Sequence, residues 1–175
     1  MHIKEIIYTF VAKHQPARRI QWPHWQQVQH VLVLYDSDLE EQNMFIQTIK
    51  DELRRHHIDA YFVGYVPKKE IQSAVLSRDQ ILGKQSFTFF GYPRKGLLSE
   101  LLGRHYDLVL NLSQSNTLPV RYMCLLADAS FKAGMQFDGG APSPCNLQIQ
   151  TSHKGDPIFL FRQILHYLTE IQSND

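Results

Sequence analysis

YDLVLNLSQSNTLPVRYMCLLADASFKAG, residues 106–134, decides the fold. Residues 107–112 set Leu108, Val109, Leu110 and Leu112 beside Asp107 and Asn111, the largely apolar content of a strand covered on both faces of a sheet. Residues 113–117 are serine, glutamine, asparagine and threonine, which favour turns and helix caps. Pro119 then falls in the first turn of a helix, where its missing N–H forfeits no intrahelical bond. Tyr122, Leu125, Leu126 and Ala129 give that helix an inner face. Residues 131–137 return to a strand, in which Gly134 lets another backbone approach closely. Strand, turn, helix and strand make the βα repeat of a parallel sheet. The expected fold is α/β: a single doubly wound, mostly parallel sheet of five or six strands, Rossmann-like or flavodoxin-like, with an extra N-terminal helix.

Toward the N-terminus, residues 30–35 (HVLVLY) repeat the pattern of a doubly covered strand and stop at Asp36, Ser37 and Asp38. Ser37 with Glu40, and Asp38 with Glu41, have capping-box spacing. Phe45, Ile46, Ile49 and Leu53 give the next helix its buried stripe, and Arg54, Arg55, His56 and His57 oppose its dipole at the far end. That structural use suits the His pair better than metal ligation, because adjacent helical residues diverge. Residues 60–66 read as the second strand, 68–82 as a short helix with Ile71, Val75 and Leu76 inward, and 86–90 (SFTFF) as a short third strand. The loop 91–96 feeds a helix through Leu97, Leu98, Leu101 and Leu102, closed by Gly103. Toward the C-terminus, 138–146 is a turn-rich loop and 147–151 an edge strand. Asp156 then caps a last helix that starts at Pro157 and buries Ile158, Phe161, Leu165, Leu168 and Ile171.

Residues 1–29 read as a segment apart from an α/β body of residues 30–175. Ile3, Ile6, Ile7, Phe10 and Val11 recur at helical spacing over residues 2–13. The plain expectation is a stripe packed on the flank of the body. A homo-oligomer contact through residues 2–29 and a helix lying on a membrane surface are the alternatives. Trp22 and Trp25, in the polar connector 14–29, clamp it to the body or, if exposed, mark a partner surface.

A chain of 175 residues with a net charge of +1 supports one well-buried core and sets up no field that would recruit nucleic acid. Basic pairs such as Arg18-Arg19 and Arg54-Arg55 alternate with acids, the pattern of a mixed solvated surface. No run approaches the roughly 20 apolar residues of a transmembrane helix. The N-terminus lacks the apolar core and cleavage site of a secretory signal, so the cytoplasm is the expected compartment. Cys124 and Cys145 have neither the number nor the spacing of a disulfide framework or a zinc site. Cys124 reads as core filler. Cys145 lies in a loop, where a reactive thiol is the alternative reading.

The strand YDLVLNL, the helix that follows it and the motif Ser130-Phe131-Lys132-Ala133-Gly134, together with a final amphipathic helix, resemble a family of small bacterial proteins carrying a domain of unknown function. The resemblance covers most of the chain from Val31 onward and rests on structural motifs. It implies the fold and, since that family has no assigned activity, no mechanism. More locally, YDLVLNL and ADASFKAG resemble the acceptor-side half of heptosyltransferase-type glycosyltransferases. This chain lacks room for the second Rossmann-like half, where such enzymes bind the nucleotide sugar. The likeness therefore implies shared architecture and not shared chemistry.

Open α/β sheets bind ligands at the carboxyl ends of their strands, where strand order reverses. With the order 3-2-1-4-5-6, that point lies between the first and fourth strands. The candidate ligand-binding residues there are Asp36, Ser37, Asp38, Asn111, Ser113 and Ser115, and Asp138 approaches the same rim after the fifth strand. The same residue types cap helices without any ligand. Arg94, Lys95 and Gly96 make a basic, glycine-flanked loop suited to phosphate. The sequence has no G-x-G-x-x-G, P-loop, G-x-S-x-G or H-E-x-x-H, so no catalytic residue, metal ligand or cofactor is assigned. Two functions stay open. One is a protein-interaction or non-catalytic module that self-associates. The alternative is a small-molecule binder or enzyme whose polar pocket takes a phosphorylated, nucleotide or sugar ligand.

Overall fold

Four consecutive residues of one strand, Val31 to Leu34, are wholly withdrawn from solvent, and the molecule is layered around them. The computed structural model describes residues 3–37, 42–67, 79–152 and 155–170. Among these, six strands form one sheet: β1 His30–Asp36, β2 Asp59–Tyr65, β3 Asp79–Leu82, β4 His105–Asn111, β5 Asp128–Met135 and β6 Leu147–Ile149. Every neighbouring pair is parallel, in the order β3-β2-β1-β4-β5-β6, and the outermost strands are the shortest. The helices are α1 Ile3–Lys13, α2 Gln42–Arg55, α3 Lys95–Leu97 continued by a π-helical turn Leu98–Leu102, α4 Leu118–Leu126 and α5 Pro157–Glu170.

Side-chain alternation along β1 divides the core in two. Val31, Val33 and Tyr35 join Ile46, Ile49 and Leu53 of α2 and Leu160, Phe161 and Ile164 of α5. Leu32 and Leu34 join Leu101, Leu102, Val120, Met123 and Cys124 on the opposite face. The chain thus leaves β1 for one face and β4 for the other. Since β1 and β4 pair from Val31↔Leu108 to Leu34↔Asn111, the crevice between their carboxyl ends is the topological switch point.

One expected helix cap is present, and one unexpected turn closes another helix. Asp156 Oδ1 accepts from Phe159 N at 2.9 Å and caps α5. At the end of α2, His57 takes a left-handed conformation (φ 57°). His57 N donates to Arg54 O at 2.9 Å and Ile58 N to Leu53 O at 3.0 Å, the paired bonds of a Schellman turn. Trp25 is buried, and Trp22 meets Phe131 edge-on at 4.9 Å, so the connector is clamped to the sheet.

Four expectations are corrected. The third strand is Asp79–Leu82 and not 86–90. Gly91 (φ 82°) and the bonds between Thr88 and Tyr92 curl the SFTFF segment back on itself, leaving only Phe87 bridged to Pro93. The helix expected over 68–82 ends in that strand, and residues 68–78 lie outside the described residues, as do the capping boxes built on residues 38–41. β5 starts at Asp128, so Ala129 is a strand residue and not part of the inner face of α4. Gly103 closes its helix in a right-handed conformation (φ −80°), not the left-handed one.

The apolar stripe of α1 is also only partly packed on the body, with Ile7 and Val11 half-buried. Ile3, Ile6 and Phe10 are 65, 51 and 62% exposed, while Tyr8 is fully buried. The helix is held by its polar side. Arg121 Nη1 on α4 donates to Glu5 Oε1 and Oε2 at 3.0 and 2.9 Å, and its guanidinium lies 3.9 Å from the Tyr8 ring centre. No described helix is long and apolar enough to cross a membrane.

Candidate functional site

Asp36 closes β1 at the switch point, and the turn after β4 wraps around its carboxylate. Ser113 Oγ and Ser115 Oγ donate to Oδ1 at 2.8 and 2.6 Å. The backbone N–H groups of Gln114 and Ser115 donate to Oδ2 at 2.7 and 3.1 Å. Both oxygens are therefore engaged by the protein's own donors, and an incoming anion would have to displace the carboxylate from that nest. Asn111, itself buried, accepts Ser113 N at 3.3 Å and braces the same turn. Ser37 is buried, and its N–H donates to Tyr65 O at 2.9 Å, extending the bonding between β1 and β2. Asp36, Asn111, Ser113 and Ser115 are thus brought together; Asp38 lies outside the described residues.

Asp138 stands apart from that knot. It is exposed and lines a cavity of about 440 Å³ bounded by α1, the start of α4 and the loop after β5, with Glu5, Lys13, Asn116 and Arg121. A second cavity, about 680 Å³, opens where β2 ends beside the start of α4. Its wall includes Lys4, Lys84, Tyr65, Phe87, Phe89 and Thr117. Thr117 Oγ1 is buried there and has no hydrogen-bond partner among the described residues. Arg94, Lys95 and Gly96 line neither cavity. Arg94 Nε donates to Gln85 O at 2.9 Å and fastens the 84–94 excursion, while Lys95 and Gly96 are exposed at the start of α3.

Three charged residues that fasten the elements around the site were given no role from the sequence. Asp107 Oδ2 accepts the N–H groups of Gln29 and His30, both at 2.8 Å, and ties β4 to the entry of β1. Arg121 anchors α1. Lys132, buried within β5, sends Nζ to the carbonyls of Cys124 and Leu125 at 2.7 and 2.8 Å. There it satisfies the final carbonyls of α4 and opposes the negative end of the helix. Burial pulls its ammonium below the ordinary lysine range. All three sit inside otherwise apolar runs, and a charge in such a run is the signal that would have found them. Among the described residues, no group of three or more His, Cys, Asp and Glu side chains could hold a metal ion.

A model of a family of unknown function, DUF6913, matches residues 3–171. No curated protein matches the chain. Among solved structures, E. coli heptosyltransferase WaaC with ADP is similar in fold, with a TM-score of 0.52 at 17% identity. The match covers 81% of this chain and 47% of that one, so the chain spans about half the length of the glycosyltransferase.

Proposed function

The chain belongs to DUF6913, a family of unknown function, and from that premise we propose that it is a protein-contact module that self-associates through the outward face of α1. One observation carries the reading: α1 leaves three large apolar side chains, Ile3, Ile6 and Phe10, in solvent. A helix stabilised only by its own domain would turn Ile3, Ile6 and Phe10 to the core, each worth roughly 1.5–3 kcal/mol when fully buried. Here Glu5 and Tyr8 take the inner positions, Ile7 and Val11 are half-buried, and Ile3, Ile6 and Phe10 are left for a partner. A two-fold pairing of two such stripes buries both at once, because the same patch serves each copy. The same reading takes residues 1–29 as the contact segment, residues 30–175 as the body that presents it, and the cytoplasm as the compartment.

Sedimentation velocity over a range of protein concentrations tests this. The wild-type chain is expected as a concentration-dependent dimer, and Ile6→Glu with Phe10→Glu as a monomer with an unchanged circular dichroism spectrum. A wild-type chain that stays monomeric at every concentration overturns the proposal.

A second reading is favoured by the 680 Å³ cavity, where two lysines, several aromatic rings and the unpartnered Thr117 hydroxyl meet beside the start of α4. That combination suits a phosphorylated, nucleotide or sugar ligand. A thermal-shift screen with ADP, nucleotide sugars and sugar phosphates tests it. A ligand at one hundred times its dissociation constant adds about 2.7 kcal/mol. Silence across that set sinks this reading and leaves the first untouched.

A further inference from the structure

The chain has two cysteines, and the fold brings them together. Cys124 lies in α4 and Cys145 at the end of the loop between β5 and β6. Both are buried in one apolar layer, with Sγ–Sγ 3.8 Å. We propose that Cys124 and Cys145 form a redox-convertible dithiol, oxidised by a peroxide to an intrachain disulfide that staples the β5–β6 loop onto α4.

The surroundings hold the two sulfurs face to face. Lys132 N donates to Asn146 Oδ1 at 2.9 Å and Asn146 N to Lys132 O at 2.8 Å, so the residue after Cys145 is locked to β5. Cys145 N donates to Ser143 Oγ at 3.2 Å, which turns the loop inward. Gly134 makes room for the thiol: a β-carbon there would stand 2.9 Å from Cys145 Sγ. Lys132 Nζ, held 2.7 Å from the carbonyl of Cys124, is the nearby cation that a thiolate needs. The hydrogen bond with Cys145, with Lys132 adding to it, lowers the Cys124 thiol below the ordinary range, and the same bond raises Cys145. Bond formation at about 2.05 Å requires the sulfurs to close by roughly 1.8 Å, shared between two side chains and one loop. Ser143 and Pro144 line the 440 Å³ cavity, which brings a molecule the size of hydrogen peroxide to the residues next to Cys145.

The chemistry balances. Cys124 sulfur attacks one peroxide oxygen, the O–O bond breaks, and the departing hydroxide leaves as water with the Cys124 proton. Cys145 sulfur then attacks the sulfenic sulfur, the S–O bond breaks, and a second water carries away the Cys145 proton. Two thiols are oxidised, and one peroxide is reduced to two waters.

The full chain, kept folded in buffer, is treated with hydrogen peroxide, then denatured, alkylated and digested without reductant. The expected product is a peptide pair joined through Cys124 and Cys145, reversed by dithiothreitol, in a protein that melts at a higher temperature than its reduced form. In Cys145→Ser, or Cys145→Ala if that variant folds better, Cys124 is expected to stop at a sulfenic acid trapped by dimedone. The proposal is overturned if both thiols remain alkylatable. It is equally overturned if they are consumed as separate sulfinic acids, if the linkage is between chains, or if it forms only once urea has unfolded the protein.

Discussion

Asp36 takes four hydrogen bonds from one turn of chain, two from hydroxyls and two from backbone N–H groups. Hydrogen bonds to a charged acceptor are worth about 1.5–3 kcal/mol each, and bonds within one network do not add. Asp36→Ala is therefore expected to cost about 2–4 kcal/mol in urea unfolding, with Asp36→Asn recovering part of the loss. Buried tyrosines give a second prediction. Burial raises the Tyr35 phenol, and also Tyr106, to about 12. In the unfolded chain they ionise near 10. Their contribution is complete below pH 10 and is lost as pH rises through 12, because the unfolded state releases its protons first. Tyr35 withdraws at most about 1.4 kcal/mol per pH unit in that window. Lys132 acts in the opposite sense, since its lowered folded value makes the unfolded chain the stronger proton binder. Unfolding midpoints in urea are expected to fall from pH 9 to pH 11, less steeply in Tyr35→Phe. The candidate carboxylate and serines were legible in the sequence because turn residues at strand ends are sparse and countable. Their mutual bonding was not, because it depends on how closely two distant strand ends approach.

At the scale of elements, α1 is coupled to the body through the buried Tyr8 ring and one half-buried ion pair. The Arg121 side chain is 6% exposed and that of Glu5 35%. Removing Glu5 leaves a buried guanidinium without its partner, a cost of about 1–3 kcal/mol once the solvent exposure of Glu5 is allowed for. Glu5→Ala is expected to speed tryptic cleavage at Lys4 and Lys13, and Glu5→Ala with Arg121→Met to restore part of the stability. The end of α2 offers the opposite sign. His57 occupies a left-handed position where glycine carries no steric penalty, so His57→Gly is expected to raise stability by about 0.5–1 kcal/mol in thermal melts. Helical spacing in residues 3–13 made α1 legible as a helix. It left the facing open, since periodicity fixes which residues share a side and not what that side meets. The third strand was misread for a related reason. SFTFF has the stronger β-propensity, but DQIL has a partner strand, with Phe62↔Asp79 through Tyr65↔Leu82 in register.

The doubly wound parallel sheet, which belongs to the molecule as a whole, was legible from hydrophobic runs, whereas the strand order was only a supposition until the pairing showed it. A parallel sheet covered on both faces writes itself into the sequence as apolar stretches, and chain-connection rules narrow the possible orders without choosing one. Self-association, in contrast, belongs to two molecules at once. If α1 pairs as proposed, the melting temperature is expected to rise with protein concentration, and Ile6→Glu with Phe10→Glu to abolish that dependence. A differential scanning calorimetry series over a wide dilution range reads both. The short outermost ribbons carry one more implication. β3 presents four residues and β6 three, so a stray polypeptide meets almost no backbone on which to template further growth. Such margins guard against fibril formation, and this chain is expected to stay free of thioflavin-binding polymer whether or not its helical stripe recruits a neighbour.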